Sequence, residues 1–179
     1  IQLNGADFIR IKNLKIISTN ATDGWGIHLL AGANNNLIDS CTIDMSAVTS
    51  TTIDNSAGIV VAGSASDLNA VGNANNNTFS NNVIRGGYQG IIMNGSATAL
   101  NVVGNIITKN TIQDFYANGI ELTENDGTQI SFNDINRATR AAVTTFEGME
   151  LGTGNRNVWI NGNKIHDTHT SATTQTGTA

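Results

Sequence analysis

Two glutamates hold the same place in two successive stretches of the chain. Glu121 lies in GIELTENDGTQISFNDIN (119–136) and Glu150 in GMELGTGNRNVWINGNKIHD (148–167), each two residues after a glycine and just before a leucine. If the stretches are copies of one unit stacked in parallel, their carboxylates are neighbours at about 4.8 Å. Two carboxylates that close repel unless a cation lies between them or one takes a proton. A first chemistry is therefore a Ca2+ site, because hard oxygen ligands suit that ion, with Glu147, Glu124 and Asp126 flanking the pair. A second is a hydrolase pair, since about 5 Å also separates the two carboxyls of retaining glycosidases. The third is a pair of surface glutamates screened by water.

Placing those carboxylates requires a repeating scaffold, and the chain carries one. Gly–apolar–x–apolar units recur as GIHL at 26, GIVV at 58, GIIM at 90, GIEL at 119 and GMEL at 148, at spacings of 32, 32, 29 and 29. A second unit keeps pace: IKNLKI from 11, IDSCTI from 38, FSNNVI from 79, ITKNTI from 107, ISFNDI from 130 and INGNKI from 160. Alternation within runs of four is strand periodicity. Each repeat offers one strand in the Gly unit and two more around a short step in the second unit. Ile16, Ile43, Ile84, Ile112, Ile135 and Ile165 should then stack as an internal ladder. The fourth position of the second unit reads Leu14, Cys41, Asn82, Asn110, Asn133 and Asn163. Asparagine tolerates left-handed backbone angles, so this structural column is expected to form the corner and to bond the next coil through its amide. The third position of the Gly unit (His28, Val60, Ile92, Glu121, Glu150) is expected to face solvent.

The repeat resembles those of the right-handed parallel β-helices in the pectate-lyase-like superfamily, over about residues 8–167. That resemblance implies an all-β, right-handed parallel β-helix solenoid of about six coils of three short strands, taken as one segment over 1–179. The chain starts within a coil and ends in the threonine-rich run DTHTSATTQTGTA without an amphipathic cap, so it reads as an uncapped segment whose partner is the rest of a longer solenoid. In lyases of this fold, acidic residues hold Ca2+ against a uronate and a basic residue removes the proton alpha to its carboxylate. Carried onto this chain, that makes Glu121, Glu150 and Glu147 the metal ligands, with Arg137 and Arg140 the base or charge-neutralising groups. The hydrolase motifs Asn-Thr-Asp, Asp-Asp and Gly-His-Gly are absent. The tripeptide RIK occurs only at Arg10–Lys12, on the wrong strand of the coil.

Composition narrows the function classes. The 179 residues include 19 glycines and no proline, with a net charge of −5. Absence of proline suits a chain built of strand and tight turn. The acidic balance argues against nucleic acid, which requires clustered Lys and Arg. No apolar run approaches the roughly 20 residues of a membrane span. The single Cys41 reads as a packed thiol, and His28, His166 and His169 are too scattered in the repeat for a shared zinc. Trp159, Trp25 and Tyr88 are the candidate sugar-stacking residues. The sequons at Asn20, Asn76 and Asn94 are what chance gives in so Asn-rich a chain. The expectation is a secreted or bacterial cell-surface stalk or adhesin that engages glycans. The alternative is a Ca2+-dependent lyase of uronate-containing polysaccharide.

Overall fold

The six isoleucines of the ladder stand side by side on successive strands of one parallel sheet. The computed structural model describes residues 1–96, 98 and 102–169, and the backbone of 174–175. Coil 1 contains β1 (Gln2–Asn4), β2 (Arg10–Lys12) and β3 (Lys15–Ile17), and coil 2 contains β4 (Gly24–Leu30), β5 (Leu37–Asp39) and β6 (Thr42–Met45). Coil 3 follows with β7 (Ser56–Val61), β8 (Thr78–Ser80) and β9 (Val83–Gly86). Coil 4 has β10 (Gln89–Asn94), a short β11 (Val102–Val103), β12 (Ile106–Thr108) and β13 (Thr111–Gln113). Coil 5 has β14 (Asn118–Thr123), β15 (Asn125–Asp126), β16 (Gln129–Ser131), β17 (Asp134–Asn136) and β18 (Ala142–Val143). Coil 6 has β19 (Glu147–Leu151), β20 (Trp159–Asn161) and β21 (Lys164–His166), and β22 (Thr174–Gln175) pairs back onto β18.

The result is an all-β parallel solenoid of about six coils. The first sheet runs β1-β4-β7-β10-β14-β19, the second β2-β5-β8-β12-β16-β20 and the third β3-β6-β9-β13-β17-β21. Inward residues of all three sheets form one continuous core, to which Ile27, Ile59, Ile91 and Ile120 contribute from the first sheet. Cys41 is a buried free thiol within it. Among the described residues, no helix is long and apolar enough to cross a membrane.

The asparagine column stacks as anticipated, but it does not make the corner. Positive φ falls one residue earlier, at Asn13, Ser40, Asn81, Lys109, Phe132 and Gly162. A left-handed residue at a corner projects outward, whereas a side chain that bonds a neighbouring coil must point in. Asn82, Asn110 and Asn133 are accordingly buried. Asn110 Oδ1 accepts from the Asn82 backbone N–H and from Asn82 Nδ2, both at 2.9 Å, while Asn110 Nδ2 donates to Phe79 O at 2.9 Å. Each amide thus satisfies buried peptide groups of the preceding coil, which would otherwise cost about 1–3 kcal/mol apiece. A second ladder, Asn36–Asn77–Asn105, does the same at the entry to the second sheet. Its signal is an asparagine directly before β5, β8 and β12.

The glycine of the Gly unit has a steric purpose. A Cβ on Gly90 would lie 2.4 Å from Ile112 Cγ2 and 2.5 Å from Gly119 O; Gly26, Gly58 and Gly119 are similarly confined, and Gly148 less so, with Ile165 Cγ2 nearest at 2.8 Å. The glycine and the apolar residue after it both face inward. The residue before the glycine is thereby turned to the outer face, beside the position that carries the glutamates.

Candidate functional site

Two columns line the outer face of the first sheet. One is Trp25, Ala57, Gln89, Asn118 and Glu147, directly before the glycines; the other is His28, Val60, Ile92, Glu121 and Glu150. The expectation that the second column faces water holds only in part. Over coils 2–4 the long turn after β7 folds back across the sheet and buries Leu68 and Ala62 against Val60, Ile92 and Ala57. Asn94 Nδ2 donates to Leu68 O, and Leu68 N to Asp54 Oδ1, which pins that turn down. Trp25 packs edge-on to His28, with ring centroids 5.0 Å apart, and donates its indole N–H to Asp54 O. His28 is almost fully buried; its Nε2 lies 2.8 Å from Ala62 O, and burial lowers its pKa.

The polar half of the face, over coils 4–6, forms an open groove of about 310 Å³. Its floor is Gln89, Asn118, Glu121, Glu147 and Glu150, and Ile53, Tyr88, Thr144 and Thr145 also line it. Glu121 and Glu150 are register partners on β14 and β19. Asn118 Nδ2 shares its two N–H groups among the Oε2 atoms of all three glutamates, at 3.1 Å to Glu121 and 3.3 Å to Glu147, with Glu150 also in contact. Gln89 Nε2 donates to Glu121 Oε2. Burial, then the charges of Glu150 and Glu147, push the Glu121 carboxyl up to about 7 against the opposing Gln89 hydrogen bond. Glu147 is also raised, by a hydrogen bond with Glu150, by burial and by the Glu150 charge. The groove therefore retains protons at pH values where isolated glutamates have lost them.

The remaining sequence candidates lie elsewhere. Glu124 occupies a left-handed turn position with its side chain over Gly154, and Asp126 Oδ1 accepts from Asn157 Nδ2 at 2.8 Å; neither lines the groove. Arg137 is fully buried. Its guanidinium donates to Tyr116 O at 2.8 Å, Thr168 O at 3.2 Å, Thr145 O at 3.3 Å and Thr144 O at 3.5 Å, and it stacks 4.9 Å from the Phe146 ring centroid. Burial and the neighbouring Arg140 lower its pKa to about 10. Arg140 donates to Ala142 O, Gly87 O and Asp114 O and lies over Tyr116. Both arginines brace the turn beside the groove through carbonyls and have no hydrogen bond to its glutamates.

Trp159 is half exposed on the second sheet, opposite Gln129, Trp25 is on the covered half of the first, and Tyr88 is at the groove. The three aromatic candidates form no common platform. Asn118 and Gln89 are the site residues that sequence reasoning passed over; their signal was the position before each glycine. Among the described residues, no three His, Cys, Asp or Glu side chains are arranged to hold a metal ion. The three glutamates converge on the Asn118 amide through their Oε2 atoms.

No protein-family model matches the chain, and no curated protein or solved structure shows significant similarity to it.

Proposed function

We propose that this chain is a segment of an extracellular or cell-surface β-solenoid, akin to the pectate-lyase-like β-helices, that engages glycans through the acidic groove of its first sheet. The observation that carries this reading is the convergence of three carboxylates and two amides from three successive coils into one open groove on a rigid support. Saccharide hydroxyls are recognised by such sets of fixed acceptors and donors. The parallel ladders make the scaffold stiff, which suits a stalk or adhesin. The test is retention on a panel of immobilised polysaccharides, wild type against Glu121→Gln/Glu150→Gln. A retained polymer that the double variant releases, with folding intact, supports the reading. No retention on any polymer, or equal retention of both proteins, overturns it.

One observation favours a second reading, glycoside hydrolysis. The Glu121 carboxyl is pushed up to about 7 beside its register partner Glu150, which places a candidate general acid and a second carboxyl in one groove. New reducing ends that appear with wild type and vanish with Glu150→Gln would establish it. The uronate-lyase alternative lacks comparable support, because Arg137 and Arg140 are committed to carbonyls and neither lines the groove.

A further inference from the structure

The groove gathers three carboxylates against two side-chain amides, with no cationic side chain among its lining residues. Its N–H donors are the side-chain amides of Gln89 and Asn118, and every hydrogen bond they make to the glutamates ends on an Oε2 atom. Among the described residues, no N–H reaches Oε1 of Glu121, Glu147 or Glu150, and no Lys, Arg or His lines the groove. A separate observation points the same way. Gln89 is fully buried on the groove floor, and its Oε1 has no hydrogen-bond partner. Buried carbonyl oxygens are nearly always paired, so Gln89 Oε1 is a spare acceptor beneath the groove that a turn of the amide would present to a ligand donor.

Resting on the glycan reading above, we propose that the groove recognises a saccharide bearing a free ammonium group, that is, a de-N-acetylated amino sugar. An ammonium brings three N–H donors and one positive charge to a single point. It satisfies Oε1 atoms of neighbouring glutamates by charge-assisted bonds, which are roughly twice as strong as neutral ones. Once it draws Glu121 toward itself, the Gln89 amide is released from Glu121 Oε2 and free to turn and offer Oε1 to the same ligand. A neutral hydroxyl supplies one donor and no charge, and an N-acetyl group replaces the ammonium with a single amide N–H. The raised titration of Glu121 fits such a ligand, since protonation and a bound ammonium relieve the same carboxylate repulsion.

The experiment is calorimetric titration at pH 6, where an amino-sugar amine is protonated, using glucosamine oligomers, their N-acetylated counterparts, lysine oligomers and Ca2+ alone. The expected result is binding of the glucosamine oligomer at least about tenfold tighter than its N-acetylated form, a difference of about 1.4 kcal/mol. Glu150→Gln and, separately, Glu147→Gln should abolish that preference while thermal unfolding confirms that both variants fold. Equal binding of the amino and N-acetyl oligomers, lost in Glu150→Gln, overturns the ammonium inference and leaves the glycan reading standing. Lysine oligomers binding as tightly as glucosamine oligomers overturn the sugar assignment. Ca2+ binding that excludes the amino sugar overturns the inference in favour of a metal site. No binding by any probe overturns this inference, whereas the glycan reading answers to the polysaccharide panel.

Discussion

Glu121 and Glu150 face each other across adjoining parallel strands and both accept from the one amide nitrogen of Asn118. Two carboxyls held on one donor cannot both ionise freely, and the consequence is a stability that depends on pH. The folded state holds the Glu121 proton up to about pH 7, while an unfolded glutamate releases it near its ordinary value of 4.5. Below that lower value both states are protonated and the effect is fully present. As pH rises towards 7 the unfolded state loses its proton first, so stability falls across this window and levels off above it. Moving a carboxyl's titration by one pH unit is worth about 1.4 kcal/mol, and solvent screening in an open groove reduces the total to about 1–2 kcal/mol. Thermal unfolding from pH 4.5 to 8 should therefore show a declining Tm in the wild type. Glu121→Gln should flatten that slope and unfold a few degrees higher at pH 8. Parallel slopes in the two proteins would mean that Glu121 titrates as an ordinary surface acid.

The glycine column predicts a contrast between two alanine substitutions. In Gly90→Ala the new Cβ would collide with Ile112 Cγ2 at 2.4 Å and with Gly119 O at 2.5 Å, and neither a ladder isoleucine nor a strand carbonyl has room to retreat. Overpacking of that kind costs about 3 kcal/mol. Gly127 has φ +65°, with nothing nearer than 3.9 Å to a new Cβ, so Gly127→Ala meets only the left-handed backbone penalty of about 1–2 kcal/mol. Equilibrium unfolding in urea should rank the two in that order. Equal losses would show that conformation, rather than close approach, dictates glycine in the repeat.

These glycines also mark the limit of what the sequence made legible. Three strands per repeat, the isoleucine ladder and the Glu121–Glu150 register follow from columns of like residues, because parallel stacking sets equivalent positions side by side. Strict in-out alternation, however, puts Asn118 and Gln89 on the inner face. Only the pair of consecutive inward positions at Gly119–Ile120 and Gly90–Ile91 turns them outward, and that requires the approach of Ile135 and Ile112 in space. The cover over Val60 and Ile92 was hidden for a similar reason: Leu68 sits in an irregular turn whose composition gives no direction. The carbonyl contacts of the arginines were hidden too, because a guanidinium bonds carbonyls as well as carboxylates, and a sequence shows side chains but not which carbonyls converge.

The asparagine ladder can be tested at Asn110. Asn110→Ala removes the acceptor for the Asn82 N–H and the donor to Phe79 O, leaving two buried peptide groups unpaired and severing the ladder between coils 3 and 5. A loss of about 2–4 kcal/mol follows if each orphan costs about 1–3 kcal/mol. Asn110→Asp keeps the acceptor but sets a buried carboxylate against Phe79 O and Asn133 Oδ1, so it should be no more stable than the alanine variant at neutral pH. Lowering the pH to about 4 should recover part of the aspartate variant's loss by protonating it. Urea unfolding at both pH values reads the comparison. An aspartate variant as stable as wild type at neutral pH would show that the acceptor alone supports the ladder.

Arg137 supplies the last prediction, because it links the core to the groove. Its four hydrogen bonds gather carbonyls of Tyr116, Thr144, Thr145 and Thr168, and two of those residues, Thr144 and Thr145, line the groove. The planar guanidinium spans these acceptors while stacked on Phe146, and a lysine ammonium does neither. Arg137→Lys therefore buries a charge with fewer partners and leaves carbonyls unpaired, at a cost of about 2–4 kcal/mol. Arg137→Met leaves the same carbonyls unpaired but buries no charge, so it should be the milder of the two. Both should free the turn over 138–146 and speed its cleavage under limited proteolysis, with the groove's ligand affinity falling in step. Proteolysis and Tm unchanged in both variants would show that the wall is held by the β18–β22 pairing rather than by the arginine.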